Sequence, residues 1–244
     1  MRCVLLAAGY ATRLFPLTKD LPKSLLSIAG KTILEHLITK IREVREIDEI
    51  VLVTNDRFVG QFRSFLQCLD DSGILVVNDG TRDNEHRLGA IGDVALAVRA
   101  GNINDDLMVL AGDNLFDFSL VNFVDFFHSS GTDCVTAYAE SRVDALRRTG
   151  VAEIDALGRV LSFEEKPINP RFNDAIPPFY IYRKETVGLL DRYLLEGNDP
   201  DAPGRFIAWL VNKYPVSAFR FSGRRYDIGT LESYKEAQDV YAQL

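Results

Sequence analysis

The stretch Leu5-Leu6-Ala7-Ala8-Gly9-Tyr10-Ala11-Thr12-Arg13-Leu14-Phe15-Pro16-Leu17-Thr18-Lys19-Asp20-Leu21-Pro22-Lys23-Ser24-Leu25-Leu26 decides how the chain is read. It begins inside a continuous apolar run, Cys3 to Ala8, of the kind a strand buried on both faces requires. Gly9 ends the run, and a loop rich in small, basic and proline residues follows. In open α/β sheets, ligands bind beyond the carboxyl ends of strands. Small side chains at Ala7, Ala8, Gly9 and Ala11 let backbone N–H groups approach an anion closely. Arg13 adds a planar fork suited to phosphate oxygens, and Lys19 and Lys23 add further cations. Pro16 and Pro22 stiffen the loop and reduce the entropy lost on binding. A dinucleotide fingerprint is excluded: no G-x-G-x-x-G is present, and basic residues follow where a helix should start. The P-loop pattern is absent as well. An ordinary surface loop would explain a lone Gly-Xaa-Ala, but the whole string argues against it.

Outward from this loop the chain alternates strand and helix. Leu34, Leu37, Ile38, Ile41 and Val44 recur at helical spacing. Glu49 to Thr54 reads as a strand, Phe58 to Leu69 as a helix and Ile74 to Val77 as a short strand. Ala90 to Ala100 then reads as a helix and Leu107 to Ala111 as a strand. This rhythm implies an α/β fold, a doubly wound, mostly parallel, Rossmann-like sheet with right-handed crossovers. The later chain carries short strands at Cys134–Ala139, Val151–Ile154, Val160–Phe163, Phe179–Tyr182 and Val216–Phe221, with a turn at Asp155–Gly158. Helices are expected at Lys184–Leu195, Arg205–Lys213 and Leu231–Ala242. The second half is expected to extend the same sheet and add a small inserted substrate lobe. The whole chain, 1–244, then reads as one domain, with a first half over about 1–130, a second half over about 131–230 and a C-terminal helix over 231–244.

The 244 residues are 47% hydrophobic, enough for one α/β core. A formal net charge of -7 argues against nucleic acid as a partner but leaves room for a few cations that hold a small anion. Cys3, Cys68 and Cys134 lie too far apart for a metal or disulfide pattern. No apolar stretch is long enough to span a membrane, and the N-terminus does not look like a signal peptide. The default expectation is cytoplasmic. His36, His86 and His128 are not spaced as a metal site.

The opening string resembles the signature of the nucleoside-diphosphate-sugar pyrophosphorylases, which include glucose-1-phosphate thymidylyltransferases and mannose-1-phosphate guanylyltransferases. The family pattern is a run of small residues, then Gly-Xaa-Gly-Thr-Arg-Leu, Pro-Leu-Thr and Pro-Lys; here Ala11 replaces the second glycine. The resemblance implies a glycosyltransferase-A-like fold and a reaction joining a nucleoside triphosphate to a sugar 1-phosphate. It assigns Arg13 to the triphosphate and Lys23 to phosphate near the reacting centre. Gly112-Asp113-Asn114 and Tyr226-Asp227-Ile228-Gly229-Thr230 resemble the family's two metal-ligand motifs, which implies Mg2+ on Asp113 and Asp227. Tyr226 stands where Trp is frequent. Glu164-Glu165-Lys166-Pro167 resembles the Glu-Lys-Pro segment, which puts Glu165 on sugar hydroxyls and Lys166 on the sugar phosphate. Gly150-Val151 resembles the family's Tyr-Gly-Val, with Thr149 in place of Tyr. Nucleotide contacts are expected from Ala7, Ala8 and Gly9 and, for the base, from Asn78 and Gly89. Family members often form dimers or tetramers.

Two other readings stay open on sequence grounds. One is the same transfer from CTP onto a non-sugar phosphate such as phosphocholine or inositol phosphate. The other is a catalytically silent nucleotide-sugar sensor. The presence together of Arg13, Lys23, Asp113, Lys166 and Asp227 counts against the sensor.

Overall fold

The computed structural model describes residues 1–69 and 73–242. In chain order its strands are β1 (Arg2–Leu6), β2 (Ser27–Ile28), β3 (Lys31–Thr32), β4 (Glu49–Thr54), β5 (Ile74–Asn78), β6 (Leu107–Ala111) and β7 (Asn114–Phe116). They continue with β8 (Asp133–Ala139), β9 (Gly150–Ile154), β10 (Val160–Glu165), β11 (Asp174–Ile176), β12 (Phe179–Tyr182), β13 (Val216–Arg220) and β14 (Arg225–Asp227). The helices are α1 (Ile33–Arg42), α2 (Val59–Cys68), α3 (Ala90–Ala100), α4 (Leu120–Ser130) and α5 (Val143–Leu146). After them come α6 (Lys184–Val187), α7 (Leu189–Leu195), α8 (Gly204–Val211) and α9 (Leu231–Tyr241). Residues 243–244, at the tip of the expected last helix, lie outside the described residues.

Among the described residues, one ten-stranded sheet runs through both halves of the chain, in the order β10-β9-β11-β8-β12-β6-β1-β4-β5 with β13 beside β8. The β5-β4-β1-β6 part is parallel throughout. β12 then runs antiparallel to both β6 and β8 and joins the later strands to the first half. In β1, Cys3 and Leu5 face the core shared with α1 and α2, while Val4 faces the core shared with α3 and α8. The two cores on opposite faces explain the unbroken apolar runs in the parallel strands, because both sides of each strand are covered.

Local chemistry sets the helix boundaries. Thr32 caps α1 by accepting the Glu35 N–H at 3.1 Å, and the Glu35 carboxylate returns to the Thr32 N–H at 2.6 Å. Ile33, Leu34, Leu37, Ile38 and Ile41 form the buried face of that helix. The helix expected over Lys184–Leu195 is two, α6 and α7, divided at Gly188. Gly is the least helix-favouring residue after Pro, so the break falls there. Sequence reading missed α4, although Ser119 caps it and Gly131, at φ 63°, ends it.

Candidate active site

The carboxyl ends of β1, β4, β5 and β6 form one rim of the parallel sheet. The Gly9 loop leaves β1 there and is fastened from below. Buried Asn55 donates its side-chain amide to the Ala8 carbonyl at 2.9 Å and accepts the Phe58 N–H at 3.1 Å. Ala11 takes φ 48°, a left-handed conformation that favours glycine, and the Thr18 hydroxyl holds its carbonyl at 2.7 Å. Further along, Arg57 donates to the Lys19 carbonyl and Gln61 donates to the Asp20 carbonyl at 2.9 Å. Gly9 and Arg13 are left exposed on a loop whose ends are fixed. Among the described residues Arg13 makes no ion pair, so its guanidinium is free to meet an anion.

Asp113 and Asp227 are brought together by a three-residue ladder, in which β14 pairs with β7 and sets Asp227 opposite Asn114. The Ile228 N–H donates to the Asp113 carbonyl at 3.1 Å, which fixes the second strand against the first. Lys23 Nζ lies 2.6 Å from Asp113 Oδ2 and 4.0 Å from Asp227 Oδ1. Behind the carboxylates, Asn114 donates to Asp113 Oδ1 at 2.6 Å and accepts from Arg225 Nε at 2.6 Å. A guanidinium nitrogen of Arg225 lies 3.6 Å from Asp227 Oδ2. Burial works against the Asp113 charge. Even so, the adjacent Lys23, helped by Arg225 and the Asn114 amide, holds its carboxyl below the usual carboxylate range. Asp113 is therefore an anion near neutral pH. Two convergent carboxylates offering oxygen are a suitable half-shell for a hard divalent cation.

The base-side expectations divide. Asn78 donates to Asp56 Oδ1, on the loop after β4, at 2.8 Å and accepts the Gly80 N–H of its own loop at 2.9 Å. Gly89 has φ 80°, and a Cβ there would stand 2.6 Å from the Pro200 carbonyl oxygen. That contact is part of a seam. The Ile91 and Ala90 N–H groups donate to the Pro200 and Asp201 carbonyls at 2.9 and 3.3 Å, and Arg87 Nε reaches Asp201 at 2.8 Å. One turn into α3, Asp93 is buried, and its Oδ1 has no hydrogen-bond partner. Burial, with some help from Asp79, pushes its carboxyl up to about 8.

On the sugar side, Gly150 and Glu165 face each other across the β9–β10 ladder. Lys166, at φ 47°, turns the chain out of β10, and its N–H donates to the Thr149 carbonyl at 3.1 Å. Its ammonium lies 3.8 Å from Glu165 Oε1. The Glu165 carboxyl packs onto Gly204, where a Cβ would overlap it. Burial raises the Glu165 carboxyl, partly offset by Lys166 and Arg205. Thr149 gives its hydroxyl to the Ile176 carbonyl at 3.0 Å. Tyr180 is buried in β12; burial raises its hydroxyl well above the usual range, the Glu165 charge adds to the rise, and the Arg225 charge opposes it.

The match to the nucleotidyl transferase family model runs over residues 2–243. The chain belongs to the nucleotidyl transferase family. It is similar to a glucose-1-phosphate adenylyltransferase of Thermotoga neapolitana, 28% identical over 251 residues, 96% of this chain and 59% of that protein. It is also similar to a glucose-1-phosphate thymidylyltransferase of Mycobacterium tuberculosis, 29% identical over 255 residues, 100% of this chain and 83% of that protein. The chain thus spans less than two thirds of the first relative's length. A UDP-glucose pyrophosphorylase complexed with UDP-glucose shares its fold, with a TM-score of 0.82 at 20% identity, covering 99% of this chain and 98% of that chain.

Sequence reading of this nucleotidyl transferase missed Asn114, Arg225 and Asp93. Asn114 was visible only as turn chemistry, and Arg225 becomes informative only once β14 lies on β7. The nucleotidyl transferase also has open depressions elsewhere, one beside Phe126, Leu157 and Phe219 and one beside Asp133, Arg183 and Tyr214. Neither includes any of the residues above. No helix among the described residues is long and apolar enough to cross a membrane.

Proposed function

We propose that this nucleotidyl transferase condenses a nucleoside triphosphate with a sugar 1-phosphate, giving a nucleoside-diphosphate sugar and pyrophosphate. The observation that carries the proposal is the convergence of Asp113 and Asp227 on Lys23, beside a fastened, small-residue loop that leaves Arg13 free. The names of the relatives, which specify glucose 1-phosphate, support the acceptor class. On this reading the first half of the chain, about 1–130, holds the nucleotide, and about 131–230 holds the sugar phosphate.

The donor set fits a divalent cation such as Mg2+. Asp113 Oδ2 and Asp227 Oδ1 both face the position that the Lys23 ammonium fills. Among the described residues no cluster of three His, Cys, Asp or Glu side chains converges, so two carboxylates would leave phosphate and water to complete the oxygen shell. Held by Asp113 and Asp227, such an ion would supply positive charge to offset that of the reacting phosphates. Arg13 and the backbone N–H groups of Ala8 and Gly9 hold the pyrophosphate that leaves. Lys23 turns from Asp113 toward the reacting phosphate, and Lys166 binds the acceptor phosphate. Glu165 accepts hydrogen bonds from sugar hydroxyls, and the backbone at Gly89 approaches the base. The acceptor oxygen is already an anion, so it attacks the α-phosphorus without a general base, and the bond to pyrophosphate breaks with its electron pair. Catalysis is then positioning and charge stabilisation.

The test is a pyrophosphate-release assay with Mg2+. It crosses dTTP, UTP, GTP, CTP and ATP with a panel of sugar 1-phosphates, with Asp113→Ala as the control. Release with a particular pair, lost in the variant, is the expected result. Release only with an alcohol phosphate would replace the sugar in this reading, and nucleotide binding without release from any pair would overturn it.

A further inference from the structure

The four carboxylate oxygens at the reaction centre are divided between two jobs. Asp113 Oδ2 and Asp227 Oδ1 face Lys23, at 2.6 and 4.0 Å. The other two are turned the opposite way: Asp113 Oδ1 accepts from Asn114 at 2.6 Å, and Asp227 Oδ2 faces the Arg225 guanidinium at 3.6 Å. Asn114 is itself held by Arg225 Nε at 2.6 Å. The amide can serve this relay in only one orientation, because a carboxylate only accepts and a guanidinium only donates. Arg225 therefore reaches both carboxylates, Asp227 directly and Asp113 through Asn114. Its side chain is only 12% exposed, so this is a sheltered charge and not a solvated one. A guanidinium keeps its charge at every relevant pH and offers a rigid fork of donors.

We propose that Arg225 is a positioning residue that holds Asp113 and Asp227 convergent when Lys23 leaves them for the substrate phosphates. The proposal rests on the reading of the carboxylate pair as a divalent-cation site. Without Arg225, departure of Lys23 would leave two anions facing each other with only an untethered Asn114 amide behind Asp113 and no cation behind either, and they would turn apart. With Arg225 in place, the rear oxygens stay tied and the front oxygens stay presented. Partners of this kind, one shell behind a metal, typically change metal affinity by about 10- to 100-fold when removed.

The test uses Mn2+ alone, titrated into the substrate-free full chain and followed by electron paramagnetic resonance, with wild type, Arg225→Gln and Asn114→Leu. Circular dichroism melting records whether each variant folds. The expected result is Mn2+ binding weakened roughly 10-fold or more in Arg225→Gln and less in Asn114→Leu, which loses only the Asp113 arm. Guanidinium chloride at a non-denaturing concentration is expected to restore part of the binding in Arg225→Gln, which a merely structural role would not allow. Turnover should show a lowered kcat with little change in the nucleotide KM. Mn2+ affinity unchanged in a folded Arg225→Gln would overturn the proposal. If that variant does not fold, unchanged affinity in Asn114→Leu does the same. Failure of the wild type to bind Mn2+ would instead sink the cation-site reading beneath it.

Discussion

Lys23 and Asp113, ninety positions apart in the chain, meet at 2.6 Å at the end of β6, with the ammonium standing between two carboxylates. The lysine is thus the resident counter-ion of the site in the absence of substrate. On the proposed function, a divalent cation and Lys23 would compete for the same oxygens until phosphate gave the lysine another partner.

That competition has a measurable sign. Lys23→Met should tighten Mn2+ binding to the substrate-free protein, because the competing cation is gone. The same change should lower kcat for pyrophosphate release by roughly 100- to 1,000-fold, the usual cost of removing one preorganised charge from a transition state. Calorimetric titration and steady-state kinetics read the two effects separately. Weaker Mn2+ binding in the variant would show that the ammonium helps to build the site and does not compete for it.

Buried Asp93 should make stability depend on pH. Its carboxyl titrates at about 8 in the folded chain against 3.8 unfolded, so the folded state binds more protons between those values and stability falls as pH rises through them. Asp133, pushed up to about 6 by burial, adds a loss of the same sign at the acid end of that range. Asp93→Asn should therefore flatten the melting-temperature profile between about pH 6 and pH 8 and leave only the Asp133 share of the slope below pH 6. Thermal melts across a buffer series decide it; an unchanged slope above pH 6 would refute the assignment.

Gly89→Ala should be costly in two respects. The new Cβ would meet the Pro200 carbonyl and would have to adopt φ 80°. We expect about 2 kcal/mol of destabilisation by urea unfolding, with contributions from overpacking and backbone strain. The nucleotide KM should rise as well. A fully stable variant with an unchanged KM would remove Gly89 from the site.

Glu165→Gln should act on the acceptor and not on the nucleotide. A hydrogen bond to a charged group contributes about 1.5–3 kcal/mol, so the KM for the sugar phosphate should rise about 10- to 100-fold while that for the triphosphate stays near its original value. Equal effects on both would mean that the substitution disturbs the Gly204 contact and not a sugar hydroxyl.

The parallel half of the fold was legible because its signals are local. The run into Gly9 and the helical spacing from Leu34 to Val44 each fit within a dozen residues. The aspartates, and their sharing of one ion, were legible through the resemblance of their motifs, but the means by which they meet was not. It depends on β7 and β14, three-residue strands too short to show a period. Arg225 was hidden for the same reason, since its partner Asn114 lies 111 positions away. Asn78 is a polar residue at a strand end and so a fair ligand on sequence alone, and the structure adds that its amide is engaged by Asp56, 22 positions away. Asp93 lies in the first turn of α3, where an acid is ordinary, and only its burial marks it as unusual.

The seam at Pro200 and Asp201 limits how the enzyme can be re-engineered. Residues 198–204 touch the Gly89 loop at one end and the Glu165 carboxyl at the other. A donor loop grafted over 84–90 from a relative would arrive without its matching carbonyls, and the mismatch would be transmitted to the acceptor side. If the proposed function holds, the two specificities are not separate modules, and a transplant of one must carry 198–204 with it.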